Sequence, residues 1–317
     1  MSKPITLYSA AAGLNTRLEP ERLLAGTKDN PGMVELSQAV NVSIDDRGLV
    51  SRREGFSLLD EGSFHSLFQD KGDCFVVEEG ADSASILRIT ALSPALAAET
   101  IVTDLVKGRR VEFKQINTDT FWSNGVNMGY IRGGVLRSEW PVGSYSGPDV
   151  DAEFAPAVPV PHHMAFRRGG QCILGVGNVA FLNHAPFQYG LFSLSKGIIM
   201  FGSPITMIAD TREGFFVSDS EQTWFFRNTG AWYGYKQELA DQSPVKEWSL
   251  AHNRVLLRDI GVDAQGEGHV WCSAEGLCVG MDNGTVANLT KDQVAYAPSA
   301  PHAATLIKGT VATSSVF

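Results

Sequence analysis

From about residue 65 onward, apolar residues fall in short runs separated by Gly, Asp and Asn, and the runs follow one recurring plan. An alternating strand leads into a polar turn, then a dense apolar strand, then a second turn and a third strand. The dense strands are Cys74–Val77, Thr120–Trp122, Cys172–Leu174, Gly214–Val217 and Gly276–Val279. Their third strands begin near Ser85, Met128, Val179, Gln222 and Thr285. Three of the four intervals between dense strands match the ~40–50 residues of a four-stranded propeller blade. Dense runs suit a propeller, whose inner strands are covered on both faces by neighbouring blades. A β-sandwich or two smaller barrels would accommodate the same strands but has no reason to repeat them at blade length. The last interval is longer and holds Trp232–Asp259, with strand-like Val245–Leu250 and Arg254–Leu257. It reads as an insertion or as most of a sixth blade. The expectation is an all-β chain: a β-propeller of five blades, with six as the alternative, over residues 61–317.

Residues 1–60 follow a different pattern and read as an extended N-terminal arm with a hairpin. Glu19–Gly26 predicts one or two helical turns, with Pro20 at the first position and Gly26 past the end. Met33, Leu36 and Val40, three to four apart, predict a short helix over Met33–Ala39. Val40, Val42 and Ile44 then alternate, Asp45–Gly48 supplies a turn, and Leu49-Val50 leads a returning strand, which is a β-hairpin. The apolar positions Leu14, Leu18, Leu23, Leu24 and Leu36 are too few to form a core, so the arm should order against a partner. Val40–Phe56 and Ala303–Thr313 are candidate strands for closing one blade from both ends of the chain.

Composition sharpens this picture. The 32 glycines, scattered without a period, suit many tight turns. Lys and Arg total 26 against 35 Asp and Glu, a net charge of −9, which argues against a protein that wraps nucleic acid. Double-stranded DNA that only slides past remains compatible, because an acidic wall repels phosphates. Cys74, Cys172, Cys272 and Cys278 form no C-x-x-C pair, and read as buried reduced thiols. Met1–Thr6 has no apolar signal core and no window reaches the ~20 apolar residues of a membrane span, so synthesis in the cytoplasm without membrane insertion is expected.

Several motifs fail in their context. Gly175–Ala180 fits a dinucleotide fingerprint but continues as a strand ending at Pro186, where cofactor binding needs a helix N-terminus. His162 and His163 are adjacent, so on a strand they point to opposite faces and cannot share one metal. No G-x-S-x-G elbow is present. Ser43–Gly48 approaches the Asp box of sialidases, but its glycine is one place late and no Trp follows. The expectation is a protein without cofactor, metal site or catalytic residues.

Gly13–Leu18, Glu35–Leu36 through Val42, and Asp45–Phe56, with its Arg52-Arg53-Glu54-Gly55-Phe56, together resemble the N-terminal region of tail and head-to-tail structural proteins of tailed bacteriophages. Glu275–Gly280 through Gly284–Thr290, and the continuation Ala303–Leu306, resemble the last blade of the same group. The resemblance covers about the first 60 and last 50 residues. It implies a virion subunit of a short-tail nozzle or hub, or of a connector ring, self-associating around the DNA channel and touching neighbouring tail proteins. Arg47 on the turn and Arg52 and Arg53 on the following strand place cations near an edge, where they could meet acidic neighbours. With Leu14, Leu18, Leu23, Leu24 and Leu36 they form the expected assembly interface. The alternatives are a receptor- or glycan-binding propeller at the tail tip, and a glycan-cleaving enzyme.

Overall fold

The computed structural model describes residues 60–291, apart from 71–72, 92–95, 138–139, 141–157, 194–195, 252–253 and 261. Outside that span it describes the strands Ala10–Leu14 (β1), Ala25–Thr27 (β2), Asn30–Leu36 (β3), Val42–Ile44 (β4), Val50–Arg52 (β5), and, near the end, Ala303–Ile307 and Thr310–Ser314.

The described chain is a five-bladed propeller. Blade one is Phe64–Asp70 (β6), Asp73–Glu79 (β7), Ala84–Ala91 (β8) and Ala97–Leu105 (β9). Blade two is Glu112–Ile116 (β10), Asp119–Ser123 (β11), Met128–Arg132 (β12) and Val135–Arg137 (β13). Blade three is His163–Arg167 (β14), Gln171–Val176 (β15), Val179–Leu182 (β16) and Ile198–Met200 (β17). Blade four is Ile205–Asp210 (β18), Gly214–Asp219 (β19), Thr223–Asn228 (β20) and Tyr235–Asp241 (β21). Blade five is Val255–Leu256 (β22), Glu267–Cys272 (β23), Leu277–Met281 (β24) and Val286–Asn288 (β25). Each is an antiparallel sheet whose strands lie side by side in chain order.

Burial explains the order. The strands β6, β10, β14 and β18 pack successively against one another and so face the axis. The second strands β15 and β19 are buried almost along their whole length, whereas the fourth strands β9, β13 and β21 are largely exposed and carry charges such as Glu99, Lys236 and Glu238. A charged, exposed outer strand discourages pairing with foreign edges. Aromatic rings fill the seams between blades: Phe68, Phe75 and Phe113 between one and two, Phe121 and Phe166 between two and three. Phe216 and Trp271, with centroids 5.4 Å apart, close the seam between four and five.

Blade five explains the long last interval. After β21, Val245 bridges to Ser273, the Lys246 N–H donates to Cys272 O at 2.8 Å, and the Ala251 N–H donates to Val270 O at 2.8 Å. The chain therefore runs along β23 on its axial side before reaching β22. Trp232–Asp259 is thus no sixth blade. It supplies the outer strand of blade four and the irregular inner strand of blade five, of which β22 is the end. The repeat is carried by β23 and β24, which stack on β18 and β19, and a Cβ added at Gly280 of β24 would lie 2.7 Å from the Phe216 ring.

Two further expectations are corrected. Met33–Leu36 lies in strand β3, not a helix, and Ala25-Gly26 lies in β2. One and a half turns cannot repay helix nucleation, while β3 finds backbone partners on both sides, parallel to β1 and antiparallel to β2. The rest of Glu19–Gly26, Glu19–Leu24, lies outside the described residues. The hairpin expected after Val40 is present, with Val42 opposite Arg52. It forms its own two-stranded sheet, however, and Ala303–Ile307 pairs with Thr310–Ser314 in another, so the two ends of the chain do not complete one blade together.

Candidate functional site

The polar feature that the fold builds most deliberately lies on the axis. Glu112 and Lys114, two apart on β10 and hence on one face, form an ion pair of 3.2 Å at 7% and 8% exposure. His163 opens β14 and is buried, with Nδ1 4.0 Å from Glu112 Oε2 and Nε2 3.6 Å from Glu247 Oε1. Its ring lies 4.6 Å from that of Trp248. Glu247 and Trp248 belong to the irregular inner strand of blade five, so a turn of blade five reaches across to blade three. Trp248 makes that turn at φ 64°, a left-handed conformation that costs a bulky residue energy and is retained where its surroundings over-determine it.

On the blade four side, Asp210 Oδ1 lies 3.3 Å from Nε2 of buried His269 on β23, within ion-pair distance but without hydrogen-bond geometry. Burial pushes the Asp210 carboxyl up, but His269, with Lys114 and Arg254 beyond it, outweighs burial and holds it down to about 2. His163 beside Glu247 lowers that carboxyl too, against the opposing effect of burial. Arg254 in turn pairs with Asp282 and lies 3.7 Å from Glu267. His162 precedes β14, so it does not take the opposite face expected of a strand neighbour: its ring lies 4.9 Å from that of His163, its Nε2 lies 3.2 Å from Ile205 O, and burial lowers its pKa. The adjacent histidines touch each other but contact different partners.

These groups link blades two to five across the axis. The cavity among Ser66, Arg110, Glu112, His163, Met207 and Trp248 is about 50 Å³, room for a few water molecules and too small for an organic substrate. No group of three or more potential metal ligands occurs among the described residues. Gly175–Ala180 is strand, turn and strand, with Gly177 at φ 59°, so no helix N-terminus is offered to a phosphate. Cys172 and Cys278 are buried free thiols, Cys272 is buried, and Cys74 is half-buried.

Of the residues expected to form an assembly interface, the structure brings Leu14 and Leu36 together as direct partners across β1 and β3. Arg52 ends β5. Leu18, Leu23, Leu24, Arg47 and Arg53 lie outside the described residues. The sequence reading missed the axial set because its members are single polar residues scattered over four blades. A partial signal existed: Glu112, His163 and Asp210 each sit on a blade's first strand, one blade apart, whereas His269 sits on the second strand of blade five.

No protein-family model matches the chain, and no curated protein sequence matches it. Among solved structures, a protein from Lactobacillus plantarum is similar at 11% identity and a TM-score of 0.47, over 78% of this chain and 75% of that one. A putative 6-phosphogluconolactonase from Bacteroides fragilis is similar at 10% identity and a TM-score of 0.44, over 80% of this chain and 76% of that one. Likeness at this level carries nothing about function, and the propeller assignment rests on the five sheets themselves.

Proposed function

We propose that this propeller is a non-enzymatic structural subunit of a bacteriophage tail, one of several copies that assemble into a ring of the nozzle, hub or head-to-tail channel through which DNA is ejected. The observation that carries the non-enzymatic part is the filled axis. Where a propeller enzyme would need room for a substrate, four blades here cross-link through Glu112, Lys114, His163, Asp210, His269 and Glu247, and the cavity beside Glu112 and His163 is only about 50 Å³. Buried ion pairs of this kind fix geometry more than they add stability, which suits a rigid building block. DNA would therefore pass through the middle of a ring of subunits and not through a single propeller.

The tail assignment itself is supported by the resemblance of residues 1–60 and of the last blade to tail and connector proteins. The net charge of −9 is compatible with a wall that DNA passes without sticking. Gold-labelled antibody against this chain, applied to intact phage particles, should decorate the tail or the neck. Labelling confined to host material, with none on particles, would exclude the proposal.

A further inference from the structure

A second polar site lies away from the axis, in a cleft of about 220 Å³ between blades three and four. One wall is the β14–β15 turn with Arg167, Arg168 and Gln171, and the other is the β20–β21 turn from Asn228 to Trp232. Arg167 is held by neutral groups. Its Nη1 donates to Gln171 Oε1 at 2.7 Å and to the Tyr235 hydroxyl at 3.1 Å, and its Nε to Thr211 O at 3.4 Å. Burial raises the Tyr235 pKa, so the phenol supplies no compensating negative charge. Arg168 is exposed and meets no carboxylate among the described residues. By contrast Arg88, Arg132, Arg227 and Arg254 each pair with an acid.

In a chain with nine more negative than positive charges, two adjacent guanidiniums without a carboxylate, one of them pinned in a rigid network, mark a place prepared for an anion. The opposite wall is equally fixed: Gln171 Nε2 donates to Trp232 O at 3.1 Å, and Trp232 Nε1 to Asn183 O at 2.6 Å. The arginine turn is braced from behind by the β16–β17 connection, where the Phe187 N–H donates to Gly170 O at 2.9 Å and the Phe187 ring occupies the space a side chain at Gly170 would need.

We propose that this cleft binds one acidic sugar unit, with its carboxylate on Arg167 and Arg168 and its hydroxyls on Asn228 and the backbone of the Gly230–Trp232 turn. The second polar wall favours a sugar over an acidic side chain of another protein. A lone Asp or Glu carboxylate would use the arginine wall alone, whereas a hexuronic acid also brings hydroxyls to Asn228 and the Gly230–Trp232 turn. The inference goes beyond the assembly role and does not depend on it, since a single propeller contains the whole site.

The test is calorimetric titration of the full-length protein with sodium glucuronate, glucose, inorganic phosphate and a hexaglutamate peptide. Glucuronate should bind with a Kd of about 1 mM, and glucose at least about tenfold more weakly, because it lacks the group the arginines take. Arg168→Gln, at an exposed position that folding does not need, should weaken glucuronate about tenfold, and Arg167→Lys should weaken it while leaving the far-ultraviolet spectrum unchanged. Absence of glucuronate binding, equal affinity for glucose, or wild-type affinity in Arg168→Gln would overturn the proposal. Tighter binding of hexaglutamate or phosphate than of glucuronate would overturn it as well, reassigning the cleft to protein acids or to phosphate. Loss of binding with rings intact would leave the assembly role standing, and binding by a strictly monomeric protein would do the reverse.

Discussion

At the residue scale, Asp210 is the most informative single position. Its carboxyl, ordinarily near 3.8, is held at about 2 in the fold. A depressed folded pKa means stability that is present above about pH 4 and lost as pH falls towards 2, here about 2 kcal/mol. Asp210→Asn should therefore lower the urea unfolding free energy by about that much at pH 7, with the gap to the parent protein closing near pH 2. Parallel stability curves for the two proteins across that range would show that His269 does not hold the charge. The thiols make a simpler case. Burial raises the pKa of Cys172 well above the ordinary value and that of Cys278 to about 11, so neither offers a thiolate at neutral pH. A disulfide reagent should label both only after urea is added; labelling of either within minutes in the native protein would contradict their burial. Their burial was legible, because each cysteine sits in an apolar run. The Asp210–His269 pair was not, since nothing in either local sequence marks a partner two strands and a blade away.

At the element scale, the second strands were legible because burial on both faces writes itself as consecutive apolar residues, as in Gly214–Val217 and Cys172–Leu174. The inner strand of blade five was legible only as strand-like Val245–Leu250 and Arg254–Leu257, not as one strand of that blade. Glu247 turns to His163 and the Ser249 hydroxyl bonds the Cys272 backbone, so the segment shows neither alternation nor a dense run. Met33–Leu36 misled for another reason: its three-to-four spacing is real, but strand pairing with Ala10–Leu14 supplies backbone partners that a short helix cannot match. The stacking of β24 on β19 depends on Gly280, where a Cβ would meet Trp271 and come 2.7 Å from Phe216. Gly280→Ala should cost about 1–3 kcal/mol by overpacking. Gly202→Ala, with nothing within 4 Å of the added carbon, should fall within about 0.5 kcal/mol of the parent. Equal melting temperatures for the two variants would mean that blades four and five do not stack in this register.

At the scale of the whole molecule, the propeller and the arm divide the work in this account. The blades make a rigid body, and residues 1–39 carry apolar positions, among them the paired Leu14 and Leu36, that are too few for a core of their own. Deleting residues 2–39 should leave a folded β-protein that no longer multimerises. Unfolding on deletion would place the arm in the propeller core instead. The central claim is that copies of this chain close into a ring, and native mass spectrometry of the purified full-length protein beside the 2–39 deletion tests it most directly. The account predicts one defined oligomer for the full chain, a whole-number multiple of the 34.3 kDa subunit, and a monomer for the deletion. A full-length chain that stays monomeric at every concentration, or a deletion that forms the same oligomer, would contradict it.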